Sequence, residues 1–245
     1  MTPPIDAVSP QIIEQYRDGR TAKVRANREI SLLSHIYNIA REWGLTENNP
    51  AAGVRKNKEV PRDFYATEEI WSAVYAVAAS ELRDAMDLAY LTAQRPADTL
   101  SMCEADAANE FLQVSQGKTS KKLRIRLTAA GALNDLGALV ARLIEQRRSR
   151  GVRNPYLIIT EDGRQVTKHM LRLGFDDAHD KAIAREAGDS VLASSIRQFQ
   201  FRDIRPKAAS EILDLGDASR LLGHTDKRIT ETVYRRVGEI VKPTR

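Results

Sequence analysis

Three short segments of the sequence place residues suited to phosphate chemistry beside helix-forming patterns. Arg95 is followed by Pro96, Arg205 is followed by Pro206, and a Gly-His pair ends at His224. A proline favours the first turn of a helix and keeps the residue before it extended. We therefore expect both arginines at helix starts, where a planar guanidinium can grip two oxygens of a phosphate.

A tyrosine follows the Gly-His pair: Tyr234 lies ten residues after His224. A tyrosine hydroxyl can serve as a nucleophile that forms a covalent intermediate. Taken singly, each pattern has an ordinary interpretation, such as a surface salt bridge, a histidine that satisfies last-turn carbonyls, or a core tyrosine. The order and spacing of the whole set argue against these ordinary interpretations.

The ordered set resembles the phage integrase (tyrosine recombinase) family. In that family an arginine, a lysine on a β-hairpin, a His-x-x-Arg box, a Leu-Gly-His box and a tyrosine follow one another. The matching positions here are Arg95, Lys118, Arg202, Arg205, His224 and Tyr234. The most specific segment is 221–234, and the segments 92–98 and 116–119 add support. The resemblance covers essentially the whole chain.

The resemblance implies a role for each of these side chains. Tyr234 attacks phosphorus and forms a 3′-phosphotyrosyl link, which stores the bond energy for rejoining. Arg95 and Arg205 hold the two non-bridging oxygens. His224 hydrogen-bonds the same oxygens or the phenol, and Lys118 protonates the leaving 5′ oxygen. This chemistry uses neither metal nor nucleotide, so we expect no metal site and no cofactor.

Two positions depart from the family pattern. Arg202 stands where the family usually has histidine, and Ala93 stands where it commonly has glycine. Arginine cannot accept a proton at neutral pH, because its pKa exceeds about 12. If that position acts partly as a base, another group or water must replace it; if it mainly hydrogen-bonds the phosphate, Arg202 can substitute, which we favour. Alanine is tolerable at 93 unless the backbone needs a positive φ.

Composition sets broad limits on the class of protein. The 245 residues carry 38 Lys+Arg against 33 Asp+Glu, a net charge of +5 that is compatible with a polyanionic partner. The single Cys103 excludes an intramolecular disulfide and a thiolate metal site, and we expect it to be a small buried side chain. The start of the chain does not resemble a signal peptide, and no apolar run approaches the roughly 20 residues that span a bilayer. We expect a cytoplasmic protein, located at the bacterial nucleoid, without membrane contact.

The sequence predicts a mainly α protein with a small antiparallel β-sheet or hairpin, and the resemblance implies the DNA breaking-rejoining fold of the family's catalytic domain. Apolar periodicity and capping residues predict these elements. They are helices at about 22–43, 67–79, 81–93 and 128–149, strands at 111–114, 123–127 and 156–159, and further helix from 168 almost to the end.

The domain boundaries follow from a polar, basic stretch that lacks apolar periodicity. We expect a partial helical core-binding domain over 1–57, a basic linker over 58–66 and the catalytic domain over 67–245. The family's core-binding domain normally has more helix ahead of the segment that begins here. An incomplete clamp is expected to weaken DNA affinity.

The function that the resemblance implies is site-specific recombination, which integrates or excises a phage, prophage or other mobile element. The expected partners are double-stranded attachment sites and further copies of the chain in a tetramer, with room for accessory DNA-bending proteins. The tail from Arg235 to Arg245 is a candidate contact with a neighbouring copy. The cations expected to contact DNA are Arg25, Arg28, Arg55, Lys56, Lys58 and Lys121.

Two alternatives stay open at the level of sequence. One is a DNA-binding remnant of an integrase with impaired catalysis. Arg202 and the short helical segment before the linker are the features compatible with it. The other is strand breakage without recombination, as in type IB topoisomerases, which resemble this family at the active site. A generic helical repressor explains none of the ordered set.

Overall fold

The computed structural model describes residues 5–238. The chain divides into two compact units, Met1–Pro61 and Arg62–Arg245, and the division falls within the stretch predicted as a linker. Residues 54–67 form neither helix nor strand. Within the described range, no helix combines the length and apolarity needed to cross a membrane. Residues 239–245 of the predicted contact tail lie outside the described residues.

The first unit is built on two helices, α1 (Pro10–Gly19) and α2 (Lys23–Glu42). The Ser9 hydroxyl caps α1 by accepting the Ile12 amide at 3.4 Å, and proline occupies the first turn, as local residue preferences favour. α2 closely matches the predicted helix. The two helices pack through a small apolar cluster of Ile13, Ile30 and Ala51, bordered by Val8, Leu33 and Val54.

The second unit is mostly helical, with α4 at its centre. Its helices are α3 (Glu68–Val77), α4 (Ser80–Thr92), α5 (Pro96–Ser101), α6 (Asp135–Ser149), α7 (Lys168–Arg185), α8 (Ser190–Gln198), α9 (Ile204–Glu211) and α10 (Leu215–Leu222). A three-residue helix (Lys227–Ile229) continues into a π-helix (Thr230–Tyr234). α4 packs against α6, α7 and α9, with Leu82, Met86 and Leu88 buried. This arrangement fixes both ends of α4, and its carboxyl end leads directly to Arg95.

The predicted hairpin is present as part of a small antiparallel sheet. Its strands are β1 (Ala107–Ala108), β2 (Phe111–Ser115) and β3 (Lys122–Arg126), in the order β1-β2-β3. β2 and β3 pair in register through Gln113 and Arg124, and Leu112 and Val114 point to the buried side. The turn between β2 and β3 carries Lys118.

Two predicted elements differ in the structure. The helix predicted from 128 begins only at Asp135, because β4 (Thr128–Ala129) and β5 (Ala132–Leu133) form a tight hairpin and the Asn134 side chain caps the helix through the Gly137 amide at 2.9 Å. The strand predicted over 156–159 is also wrong. Its apolar residues are buried in a connecting segment that makes only isolated bridges, Cys103 to Tyr156 and Ile159 to Gln165. Short apolar runs do not distinguish strands from buried connections.

The environment of Cys103 also differs from the prediction, because the residue is half-buried rather than buried. Its sulfur lies 3.1 Å from Asp106 Oδ2. Burial and this carboxylate raise the pKa of the Cys103 thiol. The side chain is therefore a neutral thiol near pH 7, the form of low reactivity.

Candidate active site

Arg95 lies in the turn between α4 and α5. Ala93 follows the last residue of α4 and has a left-handed φ of 51°, and Arg95 is the extended N-cap residue of α5 with Pro96 in the first turn. The backbone therefore does need a positive φ at 93, the condition under which glycine would suit the position better. Arg95 Nη1 lies 3.7 Å from Asp98 Oδ2 and 3.4 Å from Gln116 Oε1.

Arg205 is the second residue of α9 and is 3% exposed. Its Nη1 donates to the Ala93 carbonyl oxygen, and its Nη2 donates to the Leu222 carbonyl oxygen at 2.7 Å. Nε is buried without a partner among the described residues. No carboxylate in the described part of the chain forms an ion pair with this guanidinium. Burial lowers the pKa of Arg205, yet an arginine stays protonated, so the site holds a cation that lacks an anion.

His224 follows the end of α10, where Gly223 has a left-handed φ of 71°. Its amide donates to the Ser219 carbonyl at 3.0 Å, and its Nδ1 lies 2.8 Å from Thr230 Oγ1. Burial, then the positive charges of Arg205 and Arg95, lower the pKa of His224 to about 4. The imidazole is therefore neutral near pH 7.

Tyr234 ends the π-helix and is half-buried beside these groups. Its ring centroid lies 4.8 Å from that of His224 and 5.2 Å from the guanidinium carbon of Arg205. The hydroxyl of Ser210 on α9 donates to the Tyr234 carbonyl oxygen at 3.2 Å and accepts the Arg236 amide at 2.7 Å. π-Helical turns are rare and occur often at functional sites.

Lys118 and Arg202 occupy exposed positions at the edge of this group. Lys118 lies in the turn after β2, and Arg202 lies on a 3-10 turn one helical turn before Arg205. Within residues 5–238 neither side chain contacts Arg95, His224 or the tyrosine. The structure therefore brings together four of the six predicted residues and leaves these two facing solvent.

The predicted DNA-contacting cations are exposed, and two of them already have acidic partners. Arg25 pairs with Glu29 and Arg28 with Glu59, both at 3.1 Å. The stretch after α2 is ordered by Asn27, whose side chain exchanges hydrogen bonds of 2.8 Å with the backbone of Asn57. The remaining predicted cations are exposed, namely Arg55, Lys56, Lys58 and Lys121.

Sequence reasoning missed a buried amide at the base of the hairpin turn. Gln116 is 1% exposed, and its side chain contacts the side chains of Arg95, Gln94 and Thr119 and the carbonyl of Leu222. A signal was available, because the inward positions of β2 alternate and the next one after Val114 is 116. Nothing in the sequence shows its partners, since Leu222 is more than a hundred residues away.

A second missed feature is a buried lysine behind the site. Lys207 on α9 is 3% exposed, and its Nζ lies 2.8 Å from Glu211 Oε1. Glu211 also accepts hydrogen bonds from the hydroxyls of Tyr65 and Tyr90. Burial and Glu211 raise the pKa of Tyr65 to about 12. These contacts join α9, which carries Arg205, to α4 and to the segment before α3.

Taken together, the four assembled residues form a positive site with a neutral imidazole and a phenol. Two guanidiniums can each offer a planar pair of donors to phosphate oxygens, which favours an anionic diester over a neutral substrate. The phenol beside them is of a type that can act as a nucleophile, and the neutral His224 can accept a hydrogen bond or a proton.

Comparison with known proteins identifies the family. The profile of the phage integrase family matches residues 63–239. The integrase of Escherichia phage HK022 is 26% identical over 210 residues, which cover 84% of this chain and 56% of that protein. The chain thus spans little more than half the length of this curated relative.

The fold matches solved structures as well. A lambda integrase dimer bound to a COC' core site superimposes with a TM-score of 0.77 at 20% identity, covering 100% of this chain and 86% of that one. A lambda integrase tetramer bound to a Holliday junction gives 0.74 at 20% identity, with coverages of 98% and 68%. The fold class predicted from sequence is confirmed. Because the family match extends over most of the second unit, which also holds the assembled site, this chain belongs to the phage integrase family.

Proposed function

We propose that the protein is a site-specific DNA recombinase that cuts and rejoins DNA through a 3′-phosphotyrosyl intermediate. The observation that carries this proposal is the buried guanidinium of Arg205, fixed by two carbonyls, unpaired with any described carboxylate, and 5.2 Å from the ring of Tyr234. A buried cation is costly unless an anion completes its environment. A phosphodiester held beside the phenol meets that requirement.

The cleavage step can be written with the residues of this site. The Tyr234 oxygen forms a bond to phosphorus as the bond from phosphorus to the 5′ oxygen breaks. Arg95 and Arg205 hold the non-bridging oxygens, and removing one such donor should cost about 10²–10³ in rate. The phenol proton passes to the neutral His224, a role that Arg202 cannot fill because guanidinium stays protonated. Lys118 gives its ammonium proton to the leaving 5′ oxygen.

Rejoining is the reverse reaction with a different strand. A 5′-hydroxyl attacks the phosphotyrosine and gives its proton to the Lys118 amine, the bond from phosphorus to the Tyr234 oxygen breaks, and the phenol recovers its proton from His224. The bond energy is retained throughout, so the reaction needs no nucleotide as an energy source, and the charge that a metal ion could supply comes from the two arginines. Tyr234 contacts Arg205 and His224 of its own chain, which supports attack within the site of the same protomer.

The proposed partners are double-stranded attachment sites and further copies of the chain. The lambda integrase tetramer on a Holliday junction supports a tetramer on DNA, to which accessory DNA-bending proteins can be added. We place the core-binding role in residues 1–57, with 58–66 as the linker and 67–245 as the catalytic part. The six cations Arg25, Arg28, Arg55, Lys56, Lys58 and Lys121 are proposed phosphate contacts. Such a protein acts at the bacterial nucleoid on a phage, prophage or similar mobile element.

A pool of nicked duplexes with a randomised central segment tests this proposal, because it presents many candidate target sequences at once. In a nicked duplex the short 5′-hydroxyl fragment diffuses away after cleavage, which traps the protein covalently on the DNA. We expect a covalent complex with the parent chain on a denaturing gel and none with Tyr234→Phe. The DNA recovered from the trapped complexes gives the target sequence.

One observation favours a second candidate, a DNA-binding remnant with impaired catalysis. Arg202, which replaces the family's histidine, is exposed and contacts none of the assembled residues. This candidate predicts salt-sensitive duplex binding without a covalent product. A third outcome, relaxation of supercoiled plasmids that lack every recovered target sequence, would instead indicate topoisomerase-like strand breakage.

A further inference from the structure

Gln116 is a fully buried polar side chain at the point where three parts of the site meet. It precedes the turn that carries Lys118, and it is 1% exposed. The turn itself is closed by the Gln116 backbone, whose amide donates to the Lys121 carbonyl at 2.9 Å and whose carbonyl accepts the Ser120 amide at 2.8 Å. The residue therefore belongs to the turn through its main chain and to the rest of the site through its side chain.

The side-chain amide has all four of its hydrogen-bonding positions in use. Nε2 donates to Gln94 Oε1 at 2.8 Å and to the Leu222 carbonyl at 2.9 Å. Oε1 accepts the Thr119 hydroxyl at 2.7 Å and Arg95 Nη1 at 3.4 Å. A primary amide has two donors and two acceptor lone pairs, so no capacity is left over. An amide satisfied on every side is held in one orientation.

The Leu222 carbonyl joins this amide to the second arginine. It accepts Arg205 Nη2 at 2.7 Å as well as the Gln116 amide, which fills both of its lone pairs. The next residue, Gly223, has a φ of 71°, and a Cβ there would lie 2.9 Å from Gln116 Nε2. The glycine before His224 is thus required both by its backbone conformation and by the space that Gln116 occupies.

We infer that Gln116 is a positioning residue that sets the Lys118 turn against the two arginines. Its Oε1 binds the turn through Thr119 and the first arginine directly, and its Nε2 binds the carbonyl that holds Arg205. The inference rests on the proposed function. In the cleavage step the bond from phosphorus to the 5′ oxygen breaks, that oxygen takes a proton from the Lys118 ammonium, and the Tyr234 oxygen bonds to phosphorus. A displaced turn leaves the 5′ oxygen without its proton.

Replacing the 5′ bridging oxygen of the scissile phosphate by sulfur isolates this contribution. A thiol has a pKa near 8.5, far below that of an alcohol, so a thiolate leaves without protonation. A variant that loses only proton delivery is slow on the oxygen substrate and recovers on the sulfur substrate. A variant that loses the phosphate clamp or the nucleophile is slow on both. General acid catalysis contributes about 10²–10⁴ in rate, which sets the size of the expected effect.

The variant is Gln116→Met, which keeps the length of the side chain and removes its donors. We expect covalent trapping on the oxygen-bridged nicked duplex to slow by about tenfold to 10²-fold and to return within a few-fold of the parent on the sulfur-bridged duplex. Lys118→Met, which removes the acid itself, should slow the oxygen substrate by about 10²–10⁴ and recover likewise on the sulfur substrate. Gln113→Met, at an exposed position of the same strand, is the matched control and should match the parent on both substrates.

Each result decides the inference. Equal slowing on both substrates, or no slowing on the oxygen substrate, overturns it. If Gln116→Met shows no cooperative thermal unfolding, and is therefore not folded, Thr119→Val replaces it as the test. Thr119 is exposed, and its hydroxyl supplies the contact from the turn to Gln116 Oε1. A parent chain that forms no covalent complex on either substrate sinks the proposed function, and the inference with it. If the parent reacts but the variants stay slow on the sulfur-bridged duplex, the inference is wrong and the proposed function is unaffected.

Discussion

The guanidinium carbon of Arg205 lies 5.2 Å from the centroid of the Tyr234 ring. The two residues come from different elements, α9 and the π-helix, and their contact places a fixed positive charge beside the phenol. Arg205 has little freedom to move, because the carbonyls of Ala93 and Leu222 hold both of its terminal nitrogens. The proposed nucleophile and the charge proposed to receive the phosphate are therefore preorganised together.

Arg205→Lys should reduce covalent trapping by about 10²–10³, the cost of losing one oxyanion donor. Lysine is a point charge that cannot bind two carbonyls and a phosphate with one planar group. Affinity for duplex DNA should fall less than tenfold, because lysine keeps the positive charge and the other proposed phosphate contacts are unchanged. The measurements are single-turnover trapping on the nicked duplex and gel-shift binding. Arg185→Lys, at an exposed arginine of α7, is the control. If Arg205→Lys were trapped at nearly the parent rate, the role proposed for Arg205 would be wrong.

Two alanines with positive φ should respond differently to glycine. Ala130 is exposed in the turn between β4 and β5, with a φ of 51°, and Gly131 follows at 81°. Both values suit a type I′ turn, for which glycine is preferred at either position. Ala130→Gly should raise the free energy of unfolding by about 0.5–1 kcal/mol, because a Cβ is strained in the left-handed region.

Ala93 has the same φ of 51° but is fully buried against Ala208, Ala209 and Leu222. Removing its methyl group costs about 0.8 kcal/mol of apolar burial, which offsets the relief of strain. Ala93→Gly should therefore change stability by less than half the gain seen at 130. Urea unfolding of both variants checks this pair of expectations, and a larger gain at 93 than at 130 would show that strain outweighs packing at the family's usual glycine position.

The burial of His224 should appear as a pH dependence of stability. Its pKa is lowered to about 4 from an ordinary value of 6.5, so the unfolded chain binds the proton more tightly than the folded one. The contribution of the neutral imidazole is therefore fully present above pH 6.5 and is lost as the pH falls towards 4. His224→Asn should lack this part of the loss.

Unfolding free energies of the parent and His224→Asn, measured between pH 4 and 7, give the difference directly. Other groups that titrate in this range, including His179, whose burial also lowers its pKa, are present in both proteins and cancel. The difference in unfolding free energy between the parent and His224→Asn should shift in favour of the variant as the pH falls. A difference that stays constant across this range would mean that His224 titrates alike in the folded and unfolded chains.

Local sequence patterns were enough to predict most helices and the segments that carry the four assembled side chains. Pro10 and Pro96 mark helix starts, and the Gly-His pair marks the end of α10. These signals work because they depend on a few neighbouring residues and on fixed backbone preferences. The late start of α6 was not predicted because its signal, the cap at Asn134, follows a run of residues that are themselves compatible with a helix.

What the sequence could not show depends on contacts between distant segments. The Leu222 carbonyl accepts hydrogen bonds from Gln116 and Arg205. Gln116 is more than a hundred residues away in sequence, and Arg205, on a different helix, faces this carbonyl only after the chain folds. Ala93 is an intermediate case. The sequence showed that alanine is unfavourable there if φ is positive, but only the structure shows that φ is in fact positive. Burial of Lys207 was likewise invisible, because a lysine in a helix is usually exposed.

Ser210 should hold the nucleophile segment in place. Its hydroxyl bonds the main chain on both sides of Arg235, to the Tyr234 carbonyl at 3.2 Å and to the Arg236 amide at 2.7 Å. Each hydrogen bond contributes about 1 kcal/mol, so Ser210→Ala should make local opening of this segment at least tenfold more frequent. Mass spectrometry after brief trypsin digestion should show faster cutting after residues 235 and 236.

The same substitution should also slow covalent trapping, and to the same extent on oxygen-bridged and sulfur-bridged duplexes. When the nucleophile is misplaced, cleavage is slow with either leaving group. The lack of recovery on the sulfur-bridged duplex therefore distinguishes the effect of Ser210 from that of Gln116. Ser149→Ala, at an exposed serine that ends α6, is the control for losing a hydroxyl. Unchanged trypsin cutting after 235 and 236 in Ser210→Ala would show that the π-helical turn holds its position through its own packing. Recovery on the sulfur substrate would instead assign Ser210 to proton delivery, because only a defect in that step is relieved when the leaving group needs no proton.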